Sequence, residues 1–76
     1  MKEILEVMIK NLVEDKDSVN IEEIAQDSDI KFEVRVAQND MGRVIGKKGK
    51  IAQSIRTVMK AIATKENKKV SIEFID

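Results

Sequence analysis

The order of apolar and polar positions divides the chain into short elements. Over residues 2–14, Ile4, Leu5, Met8, Ile9, Leu12 and Val13 recur at three- and four-residue steps, which makes one apolar stripe along a helix. Glu3 and Glu6 sit near its start, where they suit the positive end of the helix dipole. The stripe runs out at Glu14-Asp15-Lys16-Asp17-Ser18, a polar, turn-forming run. Residues 19–26 predict a first strand. Val19 and Ile21 alternate with Asn20 and Glu22, then Ile24 falls out of phase, which a bulge or a strand end near Glu23 accounts for. Asp27-Ser28-Asp29 supplies a short connection. In the next strand, over 30–37, Ile30, Phe32, Val34 and Val36 alternate with Lys31, Glu33 and Arg35, so one face is buried and one solvated. Two strands joined this tightly form an antiparallel hairpin.

The second half changes period. Asn39 or Asp40 can cap a helix through its side-chain oxygen, and a short helix is expected from Met41 to Ile45. Gly46 ends it, since glycine accepts the left-handed backbone common past a helix end. Beyond Gly49, Ile51, Ala52, Ile55, Val58, Met59, Ile62 and Ala63 fall on one arc, about 140° wide at 100° per residue. This predicts a helix over 50–65, with Lys50, Arg56 and Lys60 outside the arc and Asn67 as its carboxyl cap. Val70, Ile72 and Phe74 then alternate with Ser71 and Glu73 in a strand over 70–75. The order is α-β-β-α-α-β, an α+β fold in a single domain, 1–76, without repeat or linker.

Composition narrows the chemistry. The 76 residues include no cysteine and no histidine, so disulfide staples, thiolate metal sites and the common zinc, triad and proton-shuttle chemistries lose their main residues. No metal, cofactor or catalytic pair is expected. The amino end is charged from Lys2 onward, unlike a secretory leader, and no apolar run approaches the roughly 20 residues of a membrane span. A cytoplasmic protein without membrane insertion is the expectation.

The formal net charge is zero, but it is unevenly spread. Residues 41–65 hold Arg43, Lys47, Lys48, Lys50, Arg56, Lys60 and Lys65 and no acid, whereas residues 1–40 hold eleven acids and five bases. A neutral chain with one such segment can present a local anion-binding face.

The basic segment contains Gly46-Lys47-Lys48-Gly49. A helix amino terminus offers unpaired N–H groups and a partial positive charge, so an anion is readily held there. Glycines let a sugar-phosphate backbone approach closely, and the lysines attract a polyanion without choosing its sequence. A Walker loop is excluded, because Gly42 and Gly46 enclose only three residues and Lys48 follows Gly46-Lys47. A dinucleotide fingerprint is excluded because Val44 stands where its second glycine belongs. By itself a Gly-x-x-Gly pair is more often a simple helix–helix turn.

In its surroundings the pair resembles something more specific. Gly42-Arg43-Val44-Ile45-Gly46-Lys47-Lys48-Gly49, with apolar positions at Ala52 and Ile55, resembles the KH signature Val-Ile-Gly-x-x-Gly-x-x-Ile-x-x-Ile, with Ala52 in place of the first helix isoleucine. The element order resembles the type II KH arrangement, and the whole chain resembles the small bacterial KH proteins of the KhpA (YlqC) family.

That resemblance implies a three-stranded mixed sheet backed by three helices. It implies single-stranded RNA bound by Gly42, Arg43, Val44, Ile45, Gly46, Lys47, Lys48, Gly49 and Lys50, with the central strand as the opposite wall, where Val34 or Val36 could contribute although core packing is the commoner role for such residues. Of Val44 and Ile45, one must point away from the groove. With no Trp or Tyr and with Phe32 and Phe74 in core pattern, base stacking, worth about 1–3 kcal/mol per base, is missing. One copy should then bind weakly, which favours multivalency. Ile51, Ser54, Val58 and Ala61 are a candidate dimer interface, unless Ile51 and Val58 simply finish the core. The family resemblance further implies homodimers, pairing with a larger KhpB-like KH protein, and RNA chaperoning in cell elongation and envelope homeostasis. The alternative is a protein–protein adaptor whose loop is structural.

Overall fold

In a computed structural model, which describes residues 1–75, helix α1 (Lys2–Leu12) leads through a 3₁₀ turn (Lys16–Ser18) into strands β1 (Asn20–Gln26) and β2 (Asp29–Arg35). A second 3₁₀ turn (Gln38–Asp40), helix α2 (Met41–Ile45), a third turn (Lys47–Gly49), helix α3 (Lys50–Lys65) and strand β3 (Lys69–Phe74) complete it. The sheet order is β1-β2-β3, with β1 antiparallel and β3 parallel to β2. Parallel strands cannot be joined by a hairpin, so α2 and α3 form the crossover. The result is the α+β fold expected, a mixed three-stranded sheet with three helices.

Side-chain alternation in β2 explains where the core sits. Ile30, Phe32 and Val34 are buried, while Lys31 and Glu33 on the opposite face are half-exposed. Against the buried row pack Leu5 and Ile9 of α1, Val44 of α2, Ile55 and Met59 of α3, and Ile72 of β3. The end of α3 is closed by a Schellman arrangement. Asn67 takes φ 58°, its N–H donates to the Thr64 carbonyl at 3.1 Å, and the Lys68 N–H donates to the Ala63 carbonyl at 2.9 Å.

Three local expectations change. The slip at Ile24 is neither a bulge nor a strand end. Pairing runs unbroken from Asn20↔Arg35 to Gln26↔Asp29, and Ile24 simply faces solvent, 44% exposed. The hairpin turns on Asp27 at φ 55°, which draws Asp29 into β2, and β2 ends at Arg35 rather than 37. Helix α1 stops at Leu12 rather than 14, because Val13 is extended (φ −97°, ψ 156°) and the next two N–H groups turn to another partner.

That partner is Asp40, and it is not a helix cap. Its carboxylate is fully buried and accepts hydrogen bonds from the N–H groups of Glu14 at 3.1 Å and Asp15 at 3.0 Å. The Arg43 guanidinium donates to it at 3.1 Å. One side chain thus ties the end of α1 to the start of α2. The Asp15 and Glu14 N–H groups first, then Arg43, hold this carboxyl below the usual value of 3.8. Because the folded chain keeps Asp40 ionised at lower pH than the unfolded chain does, its stabilisation is complete above the ordinary value. It is lost as pH falls through the folded one. Wild-type protein should therefore lose melting temperature steeply below about pH 4. Asp40→Asn should start several degrees lower at neutral pH and decline less. Parallel thermal-melt profiles would contradict this role.

Candidate nucleic-acid interface

Helix α2 closes with the Gly46 N–H donating to the Gly42 carbonyl at 2.9 Å. The chain then reverses within four residues. Gly46 takes φ 75°, ψ 173°, Lys48 takes φ 57° and Gly49 takes φ 74°. The Gly49 N–H donates to the Gly46 carbonyl at 3.1 Å. This geometry throws Lys47 and Lys48 outward, both exposed, directly ahead of the amino terminus of α3. No side chain caps that terminus; the Lys50 N–H donates to the Lys47 carbonyl, and the positive end of the α3 dipole lies directly behind the two lysines.

The charges around the loop are not equivalent. Arg43 is engaged with Asp40 and also forms an ion pair with Glu14. Among the described residues, Lys47, Lys48 and Lys50 have no acidic partner. The outer face of the sheet mixes both signs, with Lys31, Arg35 and Lys69 among its acids. Glu22, Glu33 and Glu73 stand in register across the three strands. Lys31 bridges Glu33 at 3.5 Å and Glu73 at 3.0 Å. Glu73 above all holds the Lys31 ammonium above its usual range. The acid-free group of Lys47, Lys48 and Lys50 lies on the helical side, and it is there that a polyanion is drawn.

Two side-chain assignments are corrected by burial. Val44 is fully buried, so its side chain belongs to the core and Ile45, half-exposed, is the outward member of the pair. Gly42 lies inside α2 with open space around its α-carbon. The central-strand valines fall to core packing or the strand end. β2 is paired on both sides, Val34 is fully buried and Val36 lies beyond the strand end. Strand β3, at the sheet edge, borders a groove of about 340 Å³ with α3, lined by Gln53, Arg56, Lys60, Val70, Ser71 and Ile72. Local alternation alone does not reveal which strand pairs in parallel beside which helix.

Arg56 organises that groove. Its Nε donates to the Ile72 carbonyl at 3.3 Å, and its guanidinium lies over the Phe74 ring, 5.4 Å from the centroid. Phe74 is half-buried rather than wholly core. Spacing of 50, 53, 56 and 60 puts Lys50, Gln53, Arg56 and Lys60 on one side of α3, so the polar stripe runs from the loop into the groove.

A second surface is apolar. Met8, Asn11 and Leu12 of α1 and Ile51, Ser54, Ile55 and Val58 of α3 line a groove of about 370 Å³. Val58 is 43% exposed, and Ile4 and Val7 of α1 are 45% and 60% exposed. Val58 does not finish the core, whereas Ile51 is half-buried and Ser54 and Ala61 are exposed. The contribution of α1 was hidden in the sequence because Ile4 belongs to the same stripe as its core positions.

No helix among the described residues is long and apolar enough to cross a membrane, and no group of acidic residues among them is arranged to hold a metal ion.

Comparison with known proteins identifies relatives of the chain. Residues 2–74 match the family model for the KhpA/KhpB KH domain. The chain is 51% identical over 75 residues to the RNA-binding protein KhpA of Clostridium acetobutylicum, covering 99% of this chain and 100% of that protein. It is 49% identical to the protein of that name in Clostridium perfringens, with the same coverage. The RNA-binding protein KhpA of Aquifex aeolicus is 40% identical over 76 residues, covering 100% of this chain and 96% of that protein.

Proposed function

The chain belongs to the KhpA/KhpB KH-domain family, and from that premise we propose that it binds single-stranded RNA, gripping the phosphate backbone at Gly46-Lys47-Lys48-Gly49. The observation that carries this is the pair of exposed, unpartnered lysines held on a left-handed turn directly ahead of the uncapped start of α3. Gly42, Ile45 and Lys50 border the phosphate path. Arg43 contributes through its hold on Asp40, and Val44 through packing beneath the turn.

Bases then enter the α3–β3 groove. Arginine planes stack on bases, and Arg56, steadied by Ile72 and Phe74, supplies a platform in a chain without Trp or Tyr. Arg56→Lys keeps the charge and loses the plane. It should weaken binding of a short single-stranded RNA about tenfold while leaving the salt dependence unchanged. Fluorescence anisotropy titrations measure both, and full affinity in this variant would remove Arg56 from the site.

The exposed apolar face supports a further part of the reading, a homodimer or a heterodimer with a larger KhpB-like KH protein through the α1–α3 groove. It includes Ile51, Ser54, Val58 and Ala61. Val58→Asp should shift the sedimentation of the pure protein to the monomer while its circular dichroism spectrum stays that of the folded protein. A dimer that survives the substitution uses another face. Family resemblance extends the proposal to RNA chaperoning in the cytoplasm, in cell elongation and envelope homeostasis. Cells lacking the protein but normal in length and envelope integrity would remove that cellular part.

A further inference from the structure

Hydrogen-bonding groups in the α3–β3 groove are unevenly divided between donors and acceptors. The Lys69 N–H donates to the Ser28 carbonyl and the Ile75 N–H to the Val34 carbonyl, both at 2.9 Å. Backbone groups alternate in direction along a strand, so the N–H and C=O of Val70, Ile72 and Phe74 point away from β2, toward the open edge of β3. An extended residue at such an edge presents one donor beside one acceptor. That pair matches adenine, whose N6 amino group donates beside the N1 acceptor. At Ile72 the pair is broken. The Arg56 Nε donates to the Ile72 carbonyl at 3.3 Å, which occupies the acceptor and sets the guanidinium fork in its place. Arg56 has no acidic partner among the described residues, so its Nη donors are not used by an ion pair. Phe74 lies beneath the plane, 5.4 Å from the guanidinium carbon. The face turned away from Phe74 is the platform for a stacked base, and the Nη edge is a separate resource. Around it, Lys60 only donates, Gln53 and Ser71 donate or accept, and no carboxylate lines the groove.

Two parallel donors fit two adjacent acceptors. Guanine carries O6 and N7 side by side, and cytosine carries N3 and O2. Adenine sets its N6 donor beside the acceptor on both its Watson–Crick and its Hoogsteen edge, and the uracil carbonyls are separated by N3–H. Unpaired RNA exposes these edges to a protein. We propose that the Arg56 fork makes the α3–β3 groove selective for a base with two adjacent acceptors, guanine or cytosine, over adenine and uracil. The inference rests on the RNA-binding reading above, and it adds a base preference to a loop that grips the backbone without one.

The test uses octaribonucleotides of uracil in which the third and sixth bases are adenine, cytosine, guanine or uracil. Each is titrated by fluorescence anisotropy against the full chain, against Arg56→Lys, and against Lys47→Asp with Lys48→Asp. Circular dichroism checks that each variant is folded. Wild type should bind the guanine or the cytosine oligonucleotide about tenfold tighter than the adenine and uracil ones. Guanine in first place identifies a Hoogsteen edge on the fork, and cytosine a Watson–Crick edge. Arg56→Lys keeps the charge and loses the fork, so the ratio should fall toward unity. Wild type that binds through the loop but ranks the four equally, or places adenine or uracil first, overturns the selectivity alone. A guanine or cytosine preference that survives Arg56→Lys takes the choice away from Arg56 and overturns the proposal too. Absence of loop-dependent binding to all four overturns the RNA-binding reading, and the selectivity with it.

Discussion

Gly46→Ala is expected to be the most damaging single substitution in the loop, and Gly49→Ala to be much milder. Both glycines have positive φ, 75° and 74°, but their surroundings differ. Gly46 combines its φ with ψ 173°, a region essentially restricted to glycine, with a cost of about 1–3 kcal/mol for other residues. A Cβ there would also lie 2.6 Å from Ile51 Cγ1, in a side chain fixed by its helix, and overpacking costs about 1–3 kcal/mol more. A domain of this size has a stability of only about 5–15 kcal/mol, so the variant should melt far below wild type. Gly49 is in the left-handed helical region with nothing within 4 Å of the added carbon, so alanine costs about 1–2 kcal/mol. Equal melting temperatures for the two variants would contradict the Ile51 contact.

The second large effect is on binding. Lys47→Asp with Lys48→Asp should leave the fold intact, because both side chains are exposed and without partners among the described residues. RNA binding should fall by about a hundredfold or more near 50 mM salt. Each lysine–phosphate contact on a single strand contributes about 0.7 to the slope of log K against log salt. Removing two should therefore flatten that slope by about 1.4. A variant that binds as well as wild type at moderate salt would make the loop a structural turn and favour the adaptor reading.

The secondary-structure pattern carried most of the architecture because each element announces itself locally. The β2 alternation and the α3 arc are periodicities of consecutive residues, and glycine at 46 and 49 follows from backbone geometry. What stayed hidden depends on contacts between distant segments. Asp40 has the composition and position of an N-cap, yet its acceptors are used by N–H groups 25 and 26 residues earlier. Ile24 breaks phase in the sequence without breaking the strand, because an edge strand tolerates an apolar side chain on its solvent face. The strand beside α3 is β3 rather than β2, a matter of sheet order that alternation does not encode. Arg56 reads as a solvated helix charge until Ile72 and Phe74 are brought beneath it. Within Val44-Ile45, spacing required one residue to be buried, and only the packing of α2 identified it as Val44.

The claim on which the rest depends is that the turn from Gly46 to Gly49 and the start of α3 hold the RNA backbone. Titrating isotopically labelled protein with a short single-stranded RNA, and following every backbone amide by NMR, tests it most directly. The account predicts the largest shifts at Gly46, Lys47, Lys48, Gly49, Lys50 and Ile51. Smaller ones should extend along Gln53, Arg56 and β3, and the outer-face residues Glu22 and Glu33 should stay still. Shifts centred on the sheet's outer face or on the α1–α3 groove, with the loop amides unmoved, would contradict it.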